Sequence, residues 1–295
     1  MILVFGRSGQ LAQSFQATLP SSLEGQTVFV SSQEADFAHP QRLAGFLDKY
    51  SPEIVVVCSA YTQVDKAEEE RELAESLNVK APQEIARWCG KNDALMILFS
   101  TDYVFSGEGL DPWKEDSPTG AQNWYGETKL AGEEAVQMSG CRHLIFRTSW
   151  IFSEYGKNFL KTMLRLGGEK TSLRVVNDQV GGPTYAPDLA EAIWSILLKV
   201  YGGEKFPSGV YHAAGGGFTS WAGFAEGIFA EAQALKFPLK VEKVEGIPTS
   251  DFPTLAHRPL NSRLDQQKLL KIFHLQLPDW RESLRLCLKR MRPQS

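Results

Sequence analysis

The sequence predicts an α/β protein, a doubly wound parallel sheet followed by a smaller C-terminal lobe, on three observations. Strand-length apolar runs alternate with amphipathic helical stretches through the first half of the chain. A glycine turn follows the first run directly, and the alternation loosens after about residue 148. The runs 2–5, 28–30, 54–58, 95–99 and 143–146 are apolar or β-branched almost throughout. A strand of that kind suits a sheet covered on both faces.

Between these runs lie helical stretches. Residues 11–19 follow the glycines, and 40–50 place Pro40 at a favourable first helical position. Leu73, Leu77, Ile85 and Trp88 fall at helical spacing in a longer third stretch, which Pro82 is expected to bend or divide. Beyond residue 148 the sequence predicts helices at 158–166 and 187–200 and strands at 173–176 and 209–213. Ser220 is placed as the N-cap of a helix over 221–235. A stretch rich in Pro, Thr and Asn (247–261) precedes two final helices. The expected division gives residues 1–147, with part of 185–220 packing back, to a dinucleotide-binding domain. Residues 148–184 and 221–295 then form a substrate-binding lobe over the carboxyl ends of the sheet.

Composition excludes several classes. The net charge of -4 offers no basic footprint for nucleic acid. Four scattered cysteines, Cys58, Cys89, Cys141 and Cys287, form no CxxC pair and suggest neither a zinc site nor a disulfide framework. No apolar run approaches the roughly 20 residues that span a bilayer. The start of the chain has no export-signal pattern, so a cytoplasmic protein with no membrane partner is expected.

Gly6-Arg7-Ser8-Gly9-Gln10-Leu11-Ala12 leads from the first strand into the first helix. Glycines there let the backbone approach a pyrophosphate, and the helix N-terminus offers unpaired N–H donors. The pattern is GxxGxxA, a form of the Rossmann-type fingerprint, and it places Gly6, Arg7, Gly9, Gln10 and Leu11 at a cofactor. The second strand ends in Val30-Ser31-Ser32 with no acid to grip the adenosine ribose. With Arg7 in the turn, that favours NADPH, with NADH as the alternative. Asp36 and Phe37 are candidates for contact with the adenine.

Tyr125 and Lys129 stand at i and i+4, on one helix face. A free phenol titrates near 10, and a neighbouring ammonium is expected to lower it toward the working range. Thr101, at the end of the strand 95–99, can offer a hydroxyl to the same carbonyl oxygen. Together with the glycine turn, this set suits reduction of a ketone by a nicotinamide.

The ordered blocks GxxGQL, STDYVF, YGETKLAGE, FRTSW, NDQ and RPxNSRL resemble the extended short-chain dehydrogenase/reductase family, most closely its dTDP-4-dehydrorhamnose reductase branch. The resemblance covers effectively the whole chain and implies a catalytic set of Thr101, Tyr125 and Lys129. It further implies that Ser59, Ala60 and Tyr61 line the cofactor. Thr62, Val64 and Asp65 would continue that loop toward cofactor or sugar. Asp102, Trp150 and Asn158 would border the substrate, and Arg258 its diphosphate. Asn78 is assigned a structural or water-holding role. The implied reaction is NAD(P)H-dependent reduction of the C4 ketone of dTDP-4-dehydro-L-rhamnose.

Three other readings share parts of this pattern. They are a reductase of another 4-keto-6-deoxy sugar nucleotide, an epimerase or dehydratase of the same fold, and a non-catalytic NADP-binding regulatory subunit of methionine adenosyltransferase. Some family members bind magnesium through a Glu on the first helix and acids after the NDQ block. Here Ser14 stands at the first place and only Asp188 near the second. No magnesium site is therefore expected, and a monomer or weak homodimer is.

Overall fold

A computed structural model describes residues 1–292. The central sheet is built from β1 (Ile2–Phe5), β2 (Thr27–Val30), β3 (Ile54–Val57), β4 (Leu95–Thr101), β5 (Arg142–Thr148) and β6 (Gly209–His212), all parallel, in the order β6-β5-β4-β3-β1-β2. β1 pairs with β2 on one side and β3 on the other, so Phe5 lies between Val30 and Val57. Winding reverses at that point, and the crevice beyond the carboxyl ends of β1 and β3 is where such a sheet takes a ligand.

Alternate side chains leave the sheet on opposite faces. Ile2, Val4, Val56, Ile97 and Phe146 pack against α1 (Gln10–Ala17) and, later in the chain, the helix Ala186–Tyr201. Leu3, Phe5, Val55, Met96 and Ile145 pack against α2 (Leu43–Tyr50) and α3 (Ala81–Lys91). The longer remaining helices are α4 (Trp124–Met138), α5 (Phe159–Glu169), α6 (Ala186–Tyr201), α7 (Trp221–Ala234), α8 (Gln267–Phe273) and α9 (Trp280–Met291). A separate core of Phe152, Leu160, Phe224, Ile228 and Trp280 joins α5, α7 and α9.

Several sequence expectations shift in detail. Pro40 opens a 3-10 turn, Pro40–Arg42, and α2 proper begins only at Leu43. Pro82 does not divide its helix. The chain runs through Arg71–Glu75 and a π-helical turn, Ser76–Lys80, into α3, with Pro82 in the first turn after the π segment. Pro82 has no N–H for the Asn78 carbonyl, and widening the helix by a π turn absorbs that loss. Leu73 is 40% exposed, and Ala74 takes the inward position instead. Asn158 precedes its helix as the N-cap, accepting from the Lys161 N–H at 3.1 Å. Ser220 caps α7 as expected, accepting from Gly223 N–H at 3.0 Å. The strand at Ser172–Val176 gains a parallel partner, Lys243–Ile247, whose alternating charged residues hid it from the sequence reading.

Candidate active site

The glycine turn sits at the carboxyl end of β1. Gly6 adopts φ +95°, a conformation that L side chains rarely take. A Cβ there would lie 2.9 Å from the Ser59 nitrogen, so Gly6 also permits the contact between the turn and the loop leaving β3. Gly9 is the N-cap of α1 without a side chain to cap it. The first-turn N–H groups thus point outward for an anion. Beside the turn lies a depression of about 550 Å³ lined by Arg7, Ser8, Gln13, Gln16, Ser31, Ser32 and Gln33. Hydroxyls, amides and one guanidinium suit a phosphorylated ribose, so these residues fit an NADP-type cofactor. An acid does stand close to the β2 tip. Glu34 folds back to accept from the Ser31 N–H and hydroxyl at 2.9 and 2.7 Å. Those bonds, with Arg7 nearby, hold its carboxyl below the usual range.

Other residues expected at the cofactor have additional partners. The Gln10 amide bridges to the lobe, meeting Ser153 and Asn158 at 3.2 Å. Leu11 is in the core. Phe37 is buried edge-on to Phe5 at 5.3 Å, and Asp36 accepts from the Ala38 N–H at 2.9 Å. Ser59 and Ala60 are half-buried at the crevice, whereas Tyr61 is buried and donates its hydroxyl proton to Glu70 at 2.7 Å.

β4 ends at Thr101, and α4 carries Tyr125 and Lys129 past it. Thr101 and Lys129 are buried; Tyr125 is half-buried. Burial pushes the Tyr125 phenol above its usual range; a hydrogen bond with Thr101 opposes the rise, and the charge of Asp102 adds to it. The drop expected from Lys129 is not among the influences on the phenol. Lys129 donates instead to the Phe99 carbonyl at 2.7 Å, and burial pulls its ammonium down to about 8 while Glu133 opposes. A phenol held protonated at neutral pH is a proton donor, the form that reduction of a ketone needs. Thr101 directs its hydroxyl to Asp102 at 3.1 Å and accepts from the Tyr103 N–H at 3.2 Å. Burial raises Asp102 to about 6, opposed by hydrogen bonds from Ser262 and Thr101.

Of what holds these groups, the sequence reading named only Asn78, as structural or water-holding. Two glycines let α4 approach its neighbours: a Cβ at Gly126 would lie 2.3 Å from the Tyr103 carbonyl oxygen, and one at Gly132 would lie 2.1 Å from that of Asn78. Asn78, in the π turn, accepts from the Tyr61 N–H at 2.9 Å and donates to Tyr61 O and Thr128 Oγ1. It thereby ties the loop after β3 to α4. One turn beyond Lys129, the fully buried Glu133 takes a forked pair of hydrogen bonds from Arg147, at 3.0 and 2.7 Å. The FRTSW block contained Arg147, but no local pattern linked it to Glu133.

On the lobe side, Trp150 takes a left-handed φ of 47° and stacks on Trp221 at 3.6 Å. Gly181 makes room for that ring; a Cβ there would be 2.8 Å from Trp150. Asn158 donates to Ser153 O at 2.7 Å, so its amide shapes the 153–155 loop. Thr62 is exposed and Val64 half-buried at the start of a short helix, Val64–Ala67. Arg258 donates to Asp65 at 2.6 Å. Of the two positions read for magnesium, Ser14 is buried and bonds Gln10 O, and Asp188 accepts from Ser283 on α9. Among the described residues no group of three or more His, Cys, Asp or Glu is arranged around a common point. A second cleft, of about 590 Å³, opens at the opposite end of the sheet between Glu53, Trp88, Arg142 and Tyr201. It is remote from the glycine turn.

Among the described residues no helix is long and apolar enough to cross a membrane. The model of the family described as RmlD substrate binding domain matches residues 1–293. The chain is 41% identical to the dTDP-4-dehydrorhamnose reductase of Salmonella typhimurium, over 98% of this chain and 97% of that protein. It is 40% identical, with the same coverage, to the reductase of the same name from Shigella flexneri. A crystal structure of dTDP-4-dehydrorhamnose reductase from Bacillus anthracis in complex with NADP superposes with a TM-score of 0.89, at 33% identity and 98% coverage of both chains. The chain thus belongs to the RmlD substrate-binding domain family.

Proposed function

We propose that this chain reduces the C4 ketone of dTDP-4-dehydro-L-rhamnose with NADPH, giving dTDP-L-rhamnose. The observation that carries the reading is the Tyr125 phenol, held protonated against Thr101 at the carboxyl edge of the sheet where the glycine turn opens. The names of the relatives, at high coverage, support it. Bound NADPH supplies the hydride. Tyr125 gives its proton to the oxygen that gains charge, and Thr101 hydrogen-bonds that oxygen. A donor placed for the charged oxygen favours the transition state over the ground state. Lys129 lies one helical turn from Tyr125 and offsets the phenolate left behind. Gly6, Gly9 and Arg7 hold the dinucleotide, with Ser59 and Ala60 along its path.

Asp102, Trp150, Thr62, Val64 and Arg258 face the sugar nucleotide in this reading, and Asn158 acts through the loop it shapes. Residues 1–147, with part of 185–220, hold the cofactor; β6 supports that division by joining the main sheet. Residues 148–184 and 221–295 hold the sugar nucleotide. The protein acts in the cytoplasm as a monomer or weak homodimer.

The test is NADPH oxidation with dTDP-4-dehydro-L-rhamnose generated in situ, with the product identified. Turnover to dTDP-L-rhamnose is expected. Tight NADPH binding with no turnover across several 4-keto sugar nucleotides would overturn the reading in favour of a regulatory role.

A further inference from the structure

Arg258 sits on the strap 249–262, which crosses from the lobe to the loop after β3. Its guanidinium donates to Asp65 Oδ2 at 2.6 Å, and the neighbouring Ala256 N–H donates to Asp65 Oδ1 at 3.1 Å. One carboxylate therefore holds both the strap and its cation, across 193 residues of sequence. On its other side the guanidinium lies beside the Tyr103 hydroxyl, where it opposes the rise that burial imposes on that phenol. The Tyr103 ring meets Tyr125 edge-on at 5.5 Å, which places Arg258 one residue away from the proton donor. Part of the donor fork is not engaged. The buried Nε has no hydrogen-bond partner, and Nη2 makes the side-chain bond to Asp65.

A guanidinium with an unpaired buried N–H beside an active site is poised for an oxyanion that the chain does not itself supply. The Asp65 side chain is 42% exposed and that of Arg258 is 26% exposed, so water reaches the pair. An ion pair of that kind is weak, and a ligand with two charged phosphates competes well with one carboxylate. We infer that Asp65 is a resident counter-ion for Arg258, a positioning residue that occupies the guanidinium until the diphosphate of the sugar nucleotide displaces it. This rests on the reductase reading above for the identity of the ligand. Asp65 then sets substrate affinity: it keeps Arg258 and the strap in place in the empty protein and weakens the hold on every nucleoside diphosphate that enters.

The experiment compares wild type with Asp65→Asn, which keeps the shape and an acceptor for the Ala256 N–H but removes the charge. Thymidine diphosphate, thymidine and NADPH are titrated calorimetrically into each, and KM and kcat are measured with dTDP-4-dehydro-L-rhamnose. Asp65→Asn is expected to bind thymidine diphosphate about tenfold more tightly and to lower KM, with thymidine and NADPH affinities unchanged. In an Arg258→Ala background the same substitution should have no effect on thymidine diphosphate. Unchanged or weaker thymidine diphosphate binding by a folded Asp65→Asn protein would overturn the counter-ion role, as would tightening that persists without Arg258. Wild type that binds thymidine diphosphate but turns over no 4-keto sugar nucleotide would instead sink the reductase reading, leaving the counter-ion result to stand on the titrations.

Discussion

The inner face of α4 and the strap 249–262 border the same site and are built on opposite terms. α4 packs without space: Gly126 and Gly132 meet backbone carbonyls, and Lys129 and Glu133 are buried with their partners. The strap keeps Phe252, Leu255 and Leu260 about half exposed or more, and buries Ala256, Pro259, Asn261 and Ser262. It is held by scattered polar contacts, among them Asn123 to His257 O at 2.7 Å and Thr249 to Asp178 at 2.6 Å. Chemistry that places a proton needs fixed groups, and a site that admits a large charged ligand needs an edge that can yield. The comparison assigns the first task to α4 and the second to the strap.

The largest effect expected is on turnover. Tyr125→Phe removes the proton donor and keeps the ring against Tyr103. A drop in kcat of about 10²–10⁴ is expected, with NADPH affinity nearly unchanged. A loss under tenfold would mean that another group protonates the oxygen. Glu133→Gln attacks the same face through stability. It leaves Arg147 buried without its counter-charge, and breaking such a pair costs about 3–5 kcal/mol. Urea unfolding measures it; a loss below ~1 kcal/mol would show that the buried pair does not fix this face.

Gly132→Ala tests packing alone. The new methyl meets the Asn78 carbonyl, a backbone atom that cannot swing aside, so a loss of about 1–3 kcal/mol is expected. Gly45→Ala, in α2 with nothing near its Cβ, is the control and should stabilise by ~0.5–1 kcal/mol. If both changes act alike, helix propensity rather than close approach sets the role of Gly132.

The two regions also differ in how legible they were. Thr101, Tyr125 and Lys129 could be read because two lie at helical spacing and the third ends an apolar strand. The sheet was legible because continuous apolar runs mark strands covered on both faces. The supports of α4 were not. Glu133 meets Arg147 and Asn78 meets Thr128 only after distant segments pack together, and Pro82 disguised a π turn as a helix break. The role of Gly126 and Gly132 was hidden too, because a close approach is invisible without its neighbour. On the strap, Arg258 was legible as a cation, but its partner lay 193 positions away. The effect of Lys129 on Tyr125 was misjudged because spacing reveals neither the burial that raises the phenol nor the Phe99 carbonyl that takes the ammonium.

A smaller effect depends on pH and falls where the strap, through Ser262, meets Asp102 at the end of β4. Asp102 has a usual pKa of 3.8, raised in the fold to about 6, chiefly by burial. The folded state therefore binds the proton more tightly than the unfolded chain. The contribution of Asp102 to stability is fully present below about 4, is lost as pH rises toward 6, and is level above that. Asp102→Asn removes the buried charge and should stabilise the protein at pH 8 by on the order of 1–3 kcal/mol, with little difference at pH 4. Thermal melts at the two pH values measure it. Equal shifts at both would mean that the carboxyl is not desolvated by its surroundings.

Phe252→Ser should show the smallest effect. The ring is 55% exposed and belongs to none of the buried clusters, so its loss removes little apolar area from contact. Surface changes of this kind lie within about 0.5 kcal/mol. Urea unfolding should be unchanged to that extent and kcat should be unaffected. The same substitution on a packed face would cost several times more, as Gly132→Ala does for a single methyl. A loss above ~1 kcal/mol for Phe252→Ser would show that the strap is fixed by packing. It would then resemble α4, and entry of a ligand would have to displace apolar contacts rather than the ion pair of Arg258.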